Sequence, residues 1–420
     1  MCSRVSDPLY APFGAEALEE TMPGEERTGL RLLLLSSEVH PASGWGRYTL
    51  EFCNALWRKG VDFELHLPCG ARVPEVAFRE AIRTDLPAWR SAIRWRAWRL
   101  LELRWAAYRI ASQERIGPVP MIVHALVEYY GVLAYWLARN LGYPFGLTGH
   151  GTYVVRPLLL TPDRFWFRRV LRSADFLVLV SKYTAQEVRH ISGLNNSHQV
   201  HVIHPGVSSF HLESSSRIST EEARQALGLP QKAPVLLSVG ALKPRKGVDV
   251  LLRAFQRVLQ DEPQAVLLLI GDGDRTGYQI LAETLGIRER VRFLGSVDDE
   301  LLARYYQACD VFVLLPRRID TMFEGFGMVY LEAGAYGKPV VGTDSGGAGE
   351  AVCHGKTGLL VPEEDWAAAA QAILRLLRNP IEAQQLGEQG RRWAEAHQWD
   401  HIADRYLEIY VDVVREKFAT

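Results

Sequence analysis

The stretch Val235-Leu-Leu-Ser-Val-Gly-Ala-Leu-Lys-Pro-Arg-Lys-Gly-Val-Asp-Val-Leu-Leu-Arg-Ala-Phe-Gln-Arg-Val-Leu259 decides the fold. Val235–Val239 is a short apolar run without polar alternation, as expected of a strand covered on both faces. The turn Gly240-Ala-Leu-Lys-Pro-Arg-Lys-Gly247 follows it, and a helix is expected over Asp249–Leu259. Strand, glycine turn and helix form the unit of a parallel α/β sheet. The turn brings Lys243, Arg245 and Lys246 to the carboxyl end of the strand, where open α/β sheets bind ligands.

The unit recurs in both directions. Downstream, strands are expected at Val266–Ile270, Val291–Leu294, Val311–Leu315, Val340–Val341 and Leu359–Val361, with helices such as Glu300–Ala308 and Asp365–Leu377 between them. Upstream, the series runs Leu32–Leu35, Phe63–Leu67, Met121–Ala125, Phe145–Thr148, Phe176–Val180 and Val200–Ile203, with a first helix over Arg47–Lys59. The chain therefore reads as α/β: two Rossmann-like, doubly wound domains facing each other across a cleft. The expected division is a polar, disordered tail over 1–29, a first domain over 30–208, a serine-rich linker over 209–220 and a second domain over 221–398. A final helix over 399–420 has apolar Ile402, Tyr406, Ile409, Tyr410 and Val413 at helical spacing, fit to pack back on the first domain.

Composition narrows the function. The 420 residues are 48% apolar and 23% charged with a formal net charge of -1, which gives no broad field for nucleic acid. Cys2, Cys53, Cys69, Cys309 and Cys353 are scattered and form no C-x-x-C pair, against a disulfide framework or zinc site and in keeping with a reducing compartment. No run of eighteen apolar residues reads as a spanning helix. The expected location is the cytoplasm, with peripheral contact at the inner membrane face left open.

The segment Glu324-Gly-Phe-Gly-Met-Val-Tyr-Leu-Glu332 carries most of the chemistry. A helix starting near Gly327 aims free backbone N–H groups and its positive end at a phosphate. Glu324 precedes that helix, and Glu332 lies within it, where a carboxylate can accept two hydrogen bonds from vicinal hydroxyls. Alone, the spacing reads equally well as a surface loop and helix bearing one glutamate each. In the first half, Pro41-Ala-Ser-Gly-Trp-Gly-Arg-Tyr48 is a glycine-containing loop between strand and helix, whose Gly44 and Gly46 are expected to bind the donor by letting the backbone come close to its phosphate, or to the acceptor, and Thr148-Gly-His150 follows a strand.

Taken together, these residues resemble the glycosyltransferase group 1 family of retaining enzymes with the GT-B fold, from about Leu30 to Ala419. The motifs V-G-A-L-K-P-R-K-G-V-D, E-G-F-G-M-V-Y-L-E-A-G-A-Y-G-K-P-V-V-G-T and S-G-G-A-G-E-A-V carry the resemblance. It implies a nucleotide diphosphate sugar as substrate, a glycan or lipid-linked acceptor, and no metal. It implies further that Lys246 contacts the diphosphate and Glu324 the transferred sugar, while the backbone of Gly327, Met328 and Val329 holds the phosphates and Glu332 the ribose. Val297 would sit in the base-contacting loop, and His150 would face the sugar. Where many members carry arginine after the first glycine, this chain has Ala241, so a second cation must come from Lys243 or Arg245. The loop Pro316–Phe323 is similar to that of members using GDP-mannose. A nucleotide-sugar epimerase, a phosphorylase and a non-catalytic binding protein are the competing readings.

Other features read more plainly. Alternation along a strand puts His201 on the opposite face from His198 and His204, which argues against a metal triad. Asp272-Gly-Asp274 reads as a turn, and Ser181 or Thr184 as a helix cap. Trp89–Ile110 holds six arginines and four tryptophans, a mixture suited to a membrane-surface helix. Its arginines point to several sides, however, which fits a packed or acceptor-lining helix as well.

Overall fold

A computed structural model describes residues 29–88, 97–114, 119–160, 163–194 and 199–418. The tail expected over 1–29 falls outside them except for Gly29, as do His198 and residues 89–96 of the arginine–tryptophan segment.

Two all-parallel sheets form the scaffold. The first holds β1 (Arg31–Leu35), β2 (Asp62–Pro68), β3 (Ile82–Leu86), β4 (Met121–Ala125), β5 (Phe145–Gly149), β6 (Phe176–Leu179) and β7 (Val200–Val202), in the order β3-β2-β1-β4-β5-β6-β7. The second holds β8 (Val235–Val239), β9 (Val266–Ile270), β10 (Val291–Gly295), β11 (Val311–Leu314), β12 (Val340–Thr343) and β13 (Gly358–Val361), in the order β10-β9-β8-β11-β12-β13. The unbroken apolar runs have a simple cause: alternate residues feed different cores. Leu33 and Leu35 enter one cluster with Val123 and Leu147, while Leu32 and Leu34 enter another with Tyr406 and Tyr410. All four leucines are fully buried, and each such burial stabilises by roughly 1.5–3 kcal/mol. β3, Ile-Arg-Thr-Asp-Leu, has no apolar run because it lies at the sheet edge with Arg83 and Thr84 exposed.

The stretch read as a linker is structured. Helix Ser209–Ser214 begins at the cap Ser208, and His211 within it is buried against Tyr336 and Tyr306. Helix Thr220–Ala226 begins at Ser219, which forms a capping box with Glu222. Here serines that look like flexible spacers are helix starts. The terminal helix Trp399–Phe418 leaves the second domain and packs on helix Gly44–Arg58 of the first. It is fastened by a buried polar network, in which His124 bonds Tyr410 (2.6 Å) and Thr148 (2.9 Å), and Thr148 bonds Tyr406 (3.2 Å). No helix among the described residues is long and apolar enough to cross a membrane.

The carboxyl ends of the two sheets meet. Gly151, with φ 58°, lies so close to Gly325 that a Cβ on it would stand 2.7 Å from the Gly325 Cα. Thr152 Oγ1 donates to the Phe323 carbonyl (2.9 Å) and accepts from the Phe323 N–H (2.8 Å). Glu350 of the second domain accepts from the backbone N–H groups of Lys182 and Tyr183, both at 2.8 Å, so it caps a first-domain helix. Arg318 pairs with Glu187 at 2.9 Å.

Candidate active site at the domain seam

Lys246 ends the short turn Pro244–Lys246 after β8, and Glu324 follows β11, the neighbouring strand. Lys246 Nζ lies 2.6 Å and Arg245 Nη1 2.9 Å from the same oxygen, Glu324 Oε2. Burial works to raise the Glu324 carboxyl, and the two cations overrule it, holding it at about 2. Lys246 is displaced downward, by burial first and by the charges of Arg245 and Lys243 as well. Two cations share one carboxylate, so this buried group carries a surplus positive charge. Lys243 itself is exposed. Of the two residues named for a second cation, Arg245 lies on Glu324 and no ion pair joins Lys243 to it.

A helix start faces the same spot. Gly327, with φ 93°, caps helix Met328–Ala335, a left-handed conformation that glycine adopts without strain. The N–H groups of Met328 and Val329 belong to the first turn, which has no intrahelical acceptors. Tyr330 anchors the helix by donating to the Leu314 carbonyl at 2.7 Å, and the Gly347 N–H holds the Glu324 carbonyl at 2.8 Å. Further along, buried Glu332 accepts from Tyr306 Oη at 2.8 Å. Arg47 of the first domain reaches it at 3.8 Å and pairs with Asp299 at 2.5 Å. Val297 lies half-buried against the second core, and neighbouring Ser296 donates to Asp272 at 2.5 Å.

Across the seam, His150 follows β5. Its Nε2 lies 2.8 Å from the Leu126 carbonyl, so Nε2–H donates and Nδ1 remains an acceptor. Burial pushes the imidazole down to about 4, so it is neutral at pH 7. The glycine loop differs from expectation. Gly44 begins the helix three residues before the expected Arg47, with Ser43 as its cap. Gly46 presses against the chain's own His40 carbonyl, so its lack of a side chain serves the loop's packing.

The sequence reading missed Glu128. It follows the end of β4 by three residues, is 1% exposed, and accepts from the His150 N–H at 3.3 Å. Its Oε1 has no hydrogen-bond partner among the described residues, and burial pushes its carboxyl up to about 8. Trp45 lies edge-on to both Tyr129 and Tyr153 beside it. Thr152 and Arg47 were also not singled out. The available signal was position: each stands at or just after a strand's carboxyl end or in the first turn of a helix there.

The minor features resolve locally. Ser181 accepts from the Thr184 N–H at 3.0 Å and caps its helix, and Asp274 caps helix Arg275–Thr284. Glu64, His66 and Glu114 gather at the far edge of the first sheet in cation-ligand geometry. The Arg31 guanidinium already bridges the two carboxylates, at 3.3 and 3.2 Å.

Two parallel Rossmann-like domains, joined at their strand ends around cations, a carboxylate and a helix start, define a glycosyltransferase of the GT-B fold. The chain belongs to the glycosyl transferases group 1 family, whose model matches residues 219–393, while the model of glycosyltransferase family 4 matches residues 42–209. The D-inositol 3-phosphate glycosyltransferase of Rhodococcus erythropolis is 34% identical over 406 residues, covering 88% of this chain and 86% of that protein. A GDP-mannose-dependent alpha-(1-6)-phosphatidylinositol monomannoside mannosyltransferase of Mycolicibacterium smegmatis is 35% identical over 257 residues, 60% of this chain and 66% of that one. Among solved structures, sucrose-phosphate synthase from Thermosynechococcus elongatus superposes with a TM-score of 0.74 at 25% identity, over 92% of this chain and 100% of that one. Anabaena HepE in complex with UDP and glucose gives 0.71 at 19%, over 90% and 99%.

Proposed function

We propose that this glycosyltransferase is a retaining hexosyltransferase, moving a hexosyl group from a nucleotide diphosphate sugar, GDP-mannose or a UDP-sugar, to a hydroxyl of a glycan or lipid-linked acceptor in the cytoplasm. One observation carries the reading: the surplus positive charge of Lys246 and Arg245 on a single Glu324 oxygen, beside the start of helix Met328–Ala335. A diphosphate complements that charge, and the same groups offset the charge developing on it as it leaves. With both cations drawn to phosphate, Glu324 is free to accept from hydroxyls of the sugar. Glu332 takes the ribose hydroxyls, and neutral His150 faces the sugar from the other domain. The bond from the anomeric carbon to the diphosphate oxygen breaks, and the bond to the acceptor oxygen forms on the same face. The acceptor proton passes to the departing phosphate. Positioning and charge stabilisation carry the rate, and two cations with a helix end do the work that a metal does elsewhere.

The mannosyltransferase relative and the loop Pro316–Phe323 favour GDP-mannose, and the UDP complex of HepE favours a UDP-sugar. Incubation with a panel of nucleotide sugars, with and without acceptors, separates the readings. Nucleoside diphosphate released only with acceptor, and a product keeping the donor's anomeric configuration by NMR, are expected. Tight binding without turnover would make it a binding protein, an inverted product would end the retaining assignment, and loss of turnover in EDTA would end the metal-free one.

A further inference from the structure

One face of the first domain exposes apolar side chains that the transfer chemistry does not use. On helix Ala97–Gln113, Leu103, Ala106, Ala107 and Ile110 are buried, whereas Leu101, Trp105 and Tyr108 are 66%, 63% and 67% exposed. The packed side is thus regular, and the outer side is apolar where a soluble helix is polar. Phe165 on helix Asp163–Ser173 is 69% exposed, and Leu159 and Leu160 are exposed at the end of helix Thr152–Leu159. The helices form one surface: Arg104 stacks on Trp136 of helix Gly131–Leu141, Trp136 meets Trp166, and Trp166 meets Phe165. Arg104, Arg139, Arg164, Arg169 and Arg172 are exposed on it, and of the described acidic side chains of these helices Asp163 is buried and Glu102 is paired with Arg99 at 3.3 Å.

We propose that this face docks on an anionic lipid bilayer. Aromatic and aliphatic side chains ringed by arginine suit the headgroup boundary, where the apolar groups enter and the cations meet lipid phosphate. A nucleic acid would use the arginines and aromatic rings but gain nothing from Leu101, Leu159 and Leu160. The placement has a consequence for the reaction. Helix Thr152–Leu159 runs from the seam beside His150 to the docking face, eight residues or about 12 Å at 1.5 Å per residue. An acceptor group held at the bilayer surface is within reach of the cleft. Docking stands without the transfer reading; a lipid-borne acceptor rests on it.

The test is flotation of the full chain with vesicles of phosphatidylcholine alone or mixed with a quarter phosphatidylglycerol. Strong partition to the anionic vesicles is expected, weakening at high salt. Arg104→Ala with Arg164→Ala and Arg169→Ala should lower it about 100-fold, at about fivefold per charge. Trp105→Ser with Phe165→Ser should lower it at least tenfold, with nucleoside diphosphate affinity and the urea midpoint unchanged. Equal partition to both vesicle types, or unchanged partition in either variant, overturns the proposal. So does capture of an RNA oligonucleotide, or of a second copy of the chain, through these residues in place of vesicles. Docking without turnover of any nucleotide sugar would sink the transfer reading and leave this one standing; turnover without docking would do the reverse.

Discussion

Glu324→Gln keeps the side chain's shape and removes its charge, and its cost comes directly from the geometry around Oε2. Lys246 and Arg245 both lean on that oxygen, at 2.6 and 2.9 Å, and all three side chains are at most 17% exposed. Without the carboxylate, two buried cations face each other unpaired, a loss of about 3–5 kcal/mol. Lys246→Met is milder, because Arg245 still holds the carboxylate; one charge-assisted hydrogen bond is lost, about 1.5–3 kcal/mol. The order reverses for ligand. Lys246→Met should weaken UDP or GDP binding at least tenfold, while Glu324→Gln should bind the diphosphate well and recover much of its stability by doing so, about 2.7 kcal/mol at 100 times Kd. Urea unfolding of both variants with and without nucleoside diphosphate measures every quantity. If Glu324→Gln were the more stable of the two, or gained nothing from ligand, the shared-carboxylate account would be wrong. Acid should act in the same direction. Glu324 titrates at about 2 in the fold against an ordinary 4.5, so its contribution is full above pH 4.5 and is lost as pH falls toward 2.

Glu128 has the opposite sign: its folded value is about 8, so the fold takes up a proton that the unfolded chain releases near 4.5. The contribution of Glu128 to stability should fall as pH rises from about 4.5 to 8, by up to about 1.4 kcal/mol per pH unit, against the opposite slope of the buried neutral His150 below about 6.5, so Glu128→Gln should lose that falling part relative to the parent in melting curves taken across the range. Gly151→Val places a side chain against Gly325 in a backbone conformation that valine resists; scattering should show a larger radius of gyration with each domain intact, and an unchanged radius would refute the close contact. Tyr410→Phe removes the hydroxyl bonded to buried His124 and should cost about 1–2 kcal/mol in urea unfolding.

Much of the fold was legible because parallel strands covered on both faces spell unbroken apolar runs; Met121–Ala125, Val235–Val239 and Val266–Ile270 stand where the sequence put them. β3 was invisible because an edge strand with one wet face needs no such run. The segment over 209–220 misled because serine serves a helix cap and a loose spacer equally, and only the buried surroundings of His211 tell them apart. At the site, the local motifs announced Lys246, Glu324 and the Gly327 helix start, since a turn and a helix start are written in contiguous chain, and the structure brings these residues together. Glu128, and the reach of Arg47 to Glu332, depend on which strands and domains become neighbours, and contiguous residues do not encode that.

Helix Trp399–Phe418 is made long after the first sheet and yet completes the first domain's core through Tyr406 and Tyr410. A ribosome that has delivered the whole first sheet has therefore delivered a domain with an open side, whose closing piece is almost two hundred residues away. The early half must wait, partly wet, until that helix has been made. The backbone crosses from one half to the other twice, so two tethers restrict how the halves can move against each other.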